Sequence, residues 1–168
     1  MHKYWVFIVL SLLFLTATVY AEDDLIRAGE YFNAKNFRKA GTYASKVLKK
    51  DPGNIQAGIL LAESYSERGK VKPAIKVYKD MILKHPENVD LVFRMGLVYN
   101  KFEYHQNAAD AYRQILATNK DHTLARYRLG LSLSLCMDLS GAYEEYRRLK
   151  PLDEKLAADL LKSIQTNN

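Results

Sequence analysis

The side chains able to do chemistry in this chain are few, and their spacing brings none of them together. Beyond the N-terminal residues the histidines are His85, His105 and His122, each several helical turns from the next. Two imidazoles share a metal ion most readily at i, i+4 on a helix, and that spacing is missing. Asp23-Asp24 and Glu144-Glu145 are adjacent pairs, so on a helix they point to different sides and do not share a proton. Cys136 is the only cysteine, which leaves neither an intramolecular disulfide nor a metal site of linked cysteines. The sequence has no Gly-rich phosphate loop, no Gly-x-Ser-x-Gly elbow and no His-Glu-x-x-His, the patterns that hold phosphate, nucleophile or zinc. Groups that do not converge argue against an enzyme, and they call for no cofactor and no metal.

What the spacing does specify is a set of elements. Tyr31, Tyr65 and Tyr99 recur at one constant interval, with Leu133 in the fourth place. The same period runs through Ala28, Ala62, Gly96 and Gly130, and through Ala40, Ala74, Ala108 and Ala142. It returns in Ala44, Tyr78, Tyr112 and Tyr146, and in Val47, Met81, Ile115 and Leu149. A fixed period in the middle of the range of about 20–50 residues predicts a solenoid, here one of helical hairpins. The small columns let two helices approach closely, and the tyrosines fill the space left over. Ten tyrosines follow residue 21 and six of them sit in these columns, which predicts core packing over an aromatic stacking surface. Gly69 suits a left-handed turn, and Pro73 fits the first turn of the next helix. Pro52 and Pro86 end one hairpin before the next begins.

These residues carry a resemblance to the tetratricopeptide repeat family. The second unit matches best, with Leu61-Ala62, Tyr65, Gly69, Ala74, Tyr78, Met81-Ile82 and Pro86-Glu87-Asn88 at the family's spacing. The third has Lys120 where the proline should stand, and the fourth diverges after Leu149. The resemblance implies an all-α fold, a right-handed superhelical solenoid of four such hairpins. The units would be 22–54, 55–88, 89–122 and 123–152, with a C-terminal capping helix and tail in 153–168. It also implies a concave groove lined by the first helix of each unit. Carried over position by position, the groove takes Leu25, Gly29, Phe32 and Asn33 from the first unit and Gln56, Ile59, Glu63, Ser66 and Glu67 from the second. Asp90, Phe93, Leu97, Asn100 and Lys101 come from the third, and Leu124, Tyr127, Leu131, Ser134 and Leu135 from the fourth. The column Leu25, Ile59, Phe93, Tyr127 is apolar throughout, and where exposed such a stripe marks a partner site. Members that clamp a peptide carboxylate use lysine and asparagine where this chain has Leu25 and Gly29. That use is set aside, although Arg94 and Arg128 could still meet an anion.

Residues 1–21 belong to another category. His2 and Lys3 precede an uncharged apolar run from Trp5 to Val19, and Val19-Tyr20-Ala21 presents small residues to a signal peptidase. The pattern predicts a secretory signal peptide, with an uncleaved inner-membrane anchor facing the periplasm as the alternative. Export without disulfides or an Asn-x-Ser/Thr sequon fits a bacterial periplasm and argues against nucleic acid as partner. The chain carries a net charge of +6, and losing Lys3 with the leader leaves +5. Much of the excess lies in Lys46, Lys49, Lys50, Lys70, Lys72, Lys76, Lys79, Arg147 and Arg148, mainly on or beside the second helices. A solvated outer face is the plain reading, and attraction to anionic lipid is the sharper one. Cys136 is expected as a small core residue of the fourth unit.

In the tail, Asp153 suits an N-cap, and Leu156, Ala157, Leu160, Leu161 and Ile164 form one stripe at helical spacing. A cap over the fourth unit is expected, and a latch folding into the groove is the other possibility. The expected function is a non-catalytic protein–protein interaction module of the cell envelope, a scaffold or assembly factor. Its partner would be another envelope protein, held as a helix or extended segment in the groove. The alternative is a membrane-tethered scaffold whose basic outside faces lipid.

Overall fold

The computed structural model describes residues 23–166, and every regular element among them is a helix. Helix α1 covers residues 23–33. It is followed by α2 (Phe37–Lys50), α3 (Ile55–Glu67), α4 (Val71–Lys84) and α5 (Val89–Lys101). The chain continues through α6 (His105–Thr118), α7 (Thr123–Leu135), α8 (Leu139–Leu149) and α9 (Glu154–Thr166). Ile55, Val89 and Thr123, which open α3, α5 and α7, keep the interval of the tyrosine column, so the period seen in the residue types is also the period of the helices. The predicted signal segment lies outside the described residues. No helix among the described residues is long and apolar enough to cross a membrane.

Each of those three starts is fixed by one side chain. The Asn54 oxygen accepts from the Ala57 amide at 3.0 Å, and the Asn88 oxygen from the Leu91 amide at 3.3 Å. His122 occupies the same column, and its Nδ1 accepts from the Ala125 amide at 3.3 Å. Each cap satisfies one of the orphan amides of a first turn. Between the two helices of a hairpin the chain reverses through one left-handed residue. It is Gly69 in the second hairpin, at φ 72°.

The chain divides into two compact units, split between Lys84 and His85. In the first, α2 packs on α3 and α3 on α4. One cluster of its core is Ala28, Ala44, Leu60 and Leu61, with Leu25, Phe32, Tyr43, Leu48, Tyr65 and Val77 packed around them. In the second unit α5 packs on α6, α6 on α7 and α7 on α8. The alanine column Ala40, Ala74, Ala108, Ala142 is fully buried throughout. The adjoining small column works by close approach. A methyl group placed on Gly96 would lie 2.7 Å from the Tyr112 ring, nearer than packed atoms come.

The tyrosines behave less uniformly than their columns suggest. Tyr78 and Tyr112 are fully enclosed, whereas Tyr31, Tyr65, Tyr99 and Tyr146 are half-buried. Tyr31 stacks on Tyr43 with ring centroids 5.4 Å apart. In the fourth hairpin the place that a tyrosine fills against Gly96 is filled against Gly130 by Leu160, which arrives from α9. Helix α9 lies against α7 and α8 and buries Ala157, Leu160 and Ile164. Asp153 starts it by accepting from the Leu156 amide at 2.9 Å.

Candidate partner-binding faces

The groove positions fall in both units, and their burial sorts them. In the first unit Leu25 and Phe32 pack into the core, and Phe32 meets Phe37 edge-on at 5.3 Å. Ile59 and Glu63 on α3 are half-buried, while Asn33 and Glu67 are exposed. In the second unit Phe93, Leu97, Asn100, Tyr127 and Leu131 are half-buried, and Lys101 is exposed. The column Leu25, Ile59, Phe93, Tyr127 is therefore not an open apolar stripe. Each of its members uses one side for packing and keeps the other for solvent.

Two of these residues are committed to structure. The Phe93 ring packs on Tyr112 at 5.5 Å and stacks on His122 at 6.0 Å. Asn100 donates to the Ser132 hydroxyl at 2.8 Å, and its oxygen lies 3.1 Å from His105 Nδ1. Asn100 thus ties α5 to α7 and to the first turn of α6. Ser66 and Ser134, which the positional carry-over placed in the groove, are buried and unavailable to a partner. A serine is small enough for a neighbouring helix to close over it, and sequence position alone does not reveal that. Arg94, proposed above as an anion contact, pairs with Asp90 one turn earlier at 2.7 Å.

Cys136 also departs from expectation. It is half-buried at the C-cap of α7 and is not part of the core. Burial, followed by the neighbouring Asp138 carboxylate, pushes its thiol up, which keeps it protonated and a poor nucleophile. Among the described residues no group of three or more His, Cys, Asp or Glu could hold a metal ion.

One feature was missed entirely at the sequence level. Arg126 on α7 and Glu145 on α8 form a buried ion pair at 2.7 Å, with side chains 9% and 8% exposed. Arg126 also donates to the Lys120 carbonyl. The signal was present in the repeat, because one period earlier the same two positions hold Val92 and Ala111. Arginine and glutamate replace two apolar residues in columns that face each other.

A profile of the tetratricopeptide repeat matches residues 31–96, the stretch from the first hairpin into the third. These are tetratricopeptide repeats. A crystal structure of MamA protein superposes with a TM-score of 0.68 at 20% identity, over 88% of this chain and 89% of that one. A tetratricopeptide repeat protein from Parabacteroides merdae ATCC 43184 gives a TM-score of 0.74 at 18% identity, over 88% of this chain and 59% of that one. At such identities the likeness shows the fold, an all-α array of tetratricopeptide hairpins. In sequence, the uncharacterized protein y4yS of Sinorhizobium fredii is 28% identical over 87 residues, 52% of this chain. The match spans about half of that relative's length, 48%.

Proposed function

We propose that the chain is a non-catalytic protein–protein interaction module of the bacterial cell envelope, a scaffold or assembly factor without cofactor. Tetratricopeptide repeats make a protein partner the natural occupant of the first-helix faces. A helix or extended segment of another envelope protein would lie on the first-helix face of a single unit, with Tyr127 and Leu131 of the second unit as its anchors. The observation that carries this reading is the half-burial of Ile59, Phe93 and Tyr127, one column of the repeat. A side chain already held in place by its inner side loses little rotamer freedom when its outer side is covered. The envelope location is supported by the leader-like pattern of residues 1–21. N-terminal sequencing of the mature protein checks it: a start at Glu22 fits export with cleavage, whereas retention of Met1 favours the tethered scaffold.

The groove itself is tested by Tyr127→Gln combined with Leu131→Gln, which leaves Phe93 in its packing role. Capture of partners by cross-linking in envelope extracts is expected to be lost, at about 2 kcal/mol or more for an anchor residue. Helix content by circular dichroism is expected to stay at the parent level. Lys76→Glu with Lys79→Glu on α4 should alter only the salt dependence of capture. Capture lost through the lysine changes and kept through the α7 changes would overturn the groove reading.

A further inference from the structure

Between α2 and α3, wholly within the first unit, lies a cleft of about 420 Å³. Arg38, Lys46 and Lys49 line it from α2 and Arg68 from the end of α3, with no carboxylate among its lining residues. Among the described residues Arg38, Lys49 and Arg68 form no ion pair, and Lys46 rests over the Tyr43 ring at 4.4 Å. Like charges gathered this closely repel one another unless an anion joins them.

A second, independent observation lies deeper in the cleft. Ser64, 0% exposed, lines it with a hydroxyl that has no hydrogen-bond partner. A buried hydroxyl left unpaired is costly, and native structures rarely keep one without a use. Opposite stands Gly41, where a methyl group would come 3.4 Å from the Ser64 Cβ and 3.9 Å from its Oγ. The bare glycine leaves the space beside the hydroxyl unfilled by a side chain.

The second unit provides the contrast. Its own cleft, of about 700 Å³, is also lined by arginines. There Arg113 sits on Asp110, Arg126 on Glu145 and Arg148 on Glu144. Those charges are neutralised by the protein itself, and the ones in the first unit are not.

We propose that the cleft between α2 and α3 binds the phosphate group of a phosphomonoester. The guanidinium groups of Arg38 and Arg68 present forked donors suited to phosphate oxygens, Lys49 supplies a point charge, and the Ser64 hydroxyl donates from the floor. Several cations without a counter-charge favour a dianion over a single carboxylate. The volume exceeds that of phosphate alone, so a small polar group can accompany it, either from a soluble ester or from a lipid headgroup. The site is separate from the first-helix faces, and its existence does not depend on the groove reading.

The test is an NMR titration of the full chain with inorganic phosphate and then glycerol 3-phosphate, at constant ionic strength set by sodium chloride. Saturable shifts of the Gly41 and Ser64 amides are expected. Arg38→Gln with Arg68→Gln should weaken binding by about tenfold or more, as loss of charge-assisted hydrogen bonds does. Ser64→Ala is the decisive variant. It removes an unpartnered hydroxyl, so the melt should hold or rise while phosphate affinity falls. Sedimentation with phosphatidylcholine vesicles, with and without phosphatidic acid, identifies the source. A lipid headgroup gives sedimentation that needs phosphatidic acid and is lost in the arginine variant, and a soluble ester gives the titration alone. The proposal is overturned if neither probe gives a saturable response at the cleft, or if the response survives the arginine changes.

Discussion

Lys35, Gly69, Glu103 and Met137 occupy one column of the repeat and share the left-handed conformation, at φ 57°, 72°, 64° and 63°. Only one is a glycine, so three of the four turns hold a side chain where the backbone favours none, at about 1–2 kcal/mol each. Met137 is 70% exposed and gives up little by leaving. Glu103→Gly and Met137→Gly are each expected to raise stability by about 0.5–1 kcal/mol in urea melts, after the extra freedom glycine gains in the unfolded chain. Gly69 was readable from its residue type; lysine, glutamate and methionine carry no such signal, and only the repeat register reveals their role. Tyr112 is the other residue with a measurable signature. Burial, only partly offset by Arg128 and Asn100, pushes its phenol from 10.0 up to about 12. The folded state therefore keeps a proton that the unfolded state loses above pH 10. Stability from this group is fully present below pH 10 and declines as pH rises towards 12, by about 1.4 kcal/mol per pH unit. Denaturant melts across that range should fall less steeply in Tyr112→Phe than in the parent.

At the scale of helices, the fourth hairpin is held differently from the third. Where α5 and α6 bring Val92 and Ala111 to their contact, α7 and α8 bring Arg126 and Glu145. Removing one partner strands a buried charge, so Glu145→Ala is expected to cost about 3–5 kcal/mol. Arg126→Val with Glu145→Ala restores the pair the third repeat uses, and should land within about 1 kcal/mol of the parent or above it. Thermal melts of the single and double variants decide the matter; a double variant as unstable as the single would mean the hairpin needs its charges. Asn54, Asn88 and His122 declare themselves as caps only in the structure. Hairpin boundaries were legible from Pro52 and Pro86, and Asp153 was legible as an N-cap ahead of an apolar stripe. The face each helix turns to solvent was less so. Ser66 and Ser134 vanish under neighbours, and Asn100 is used up by Ser132 and His105.

For the molecule as a whole, the residue columns disclosed the architecture because one recurring pattern had to satisfy the same contacts repeatedly. They could not disclose the cleft between α2 and α3, which depends on which charges lack partners in three dimensions. Stability of the second unit leans on α9. Leu160→Ala is expected to cost about 2–5 kcal/mol, read by denaturant unfolding. Truncation before Asp153 should go further, exposing the α7 surface around Gly130 and producing self-association visible by size-exclusion chromatography. A truncated chain that stays monomeric and melts with the parent would show that α9 is dispensable to the fold.

The seating of Leu160 against Gly130 also governs how such a chain can lengthen. A further hairpin stacked directly on α7 and α8 would have to displace α9 from a seat it already fills. An extra copy of the segment from Val89 to His122, inserted after His122, meets no such obstacle, because it presents to α7 the same surface that α6 presents now. Growth by duplication is thus open on the near side of α7, one whole hairpin at a time, and contested on the far side. Glycine and leucine together act as a stop on a molecular ruler whose graduations are the repeats.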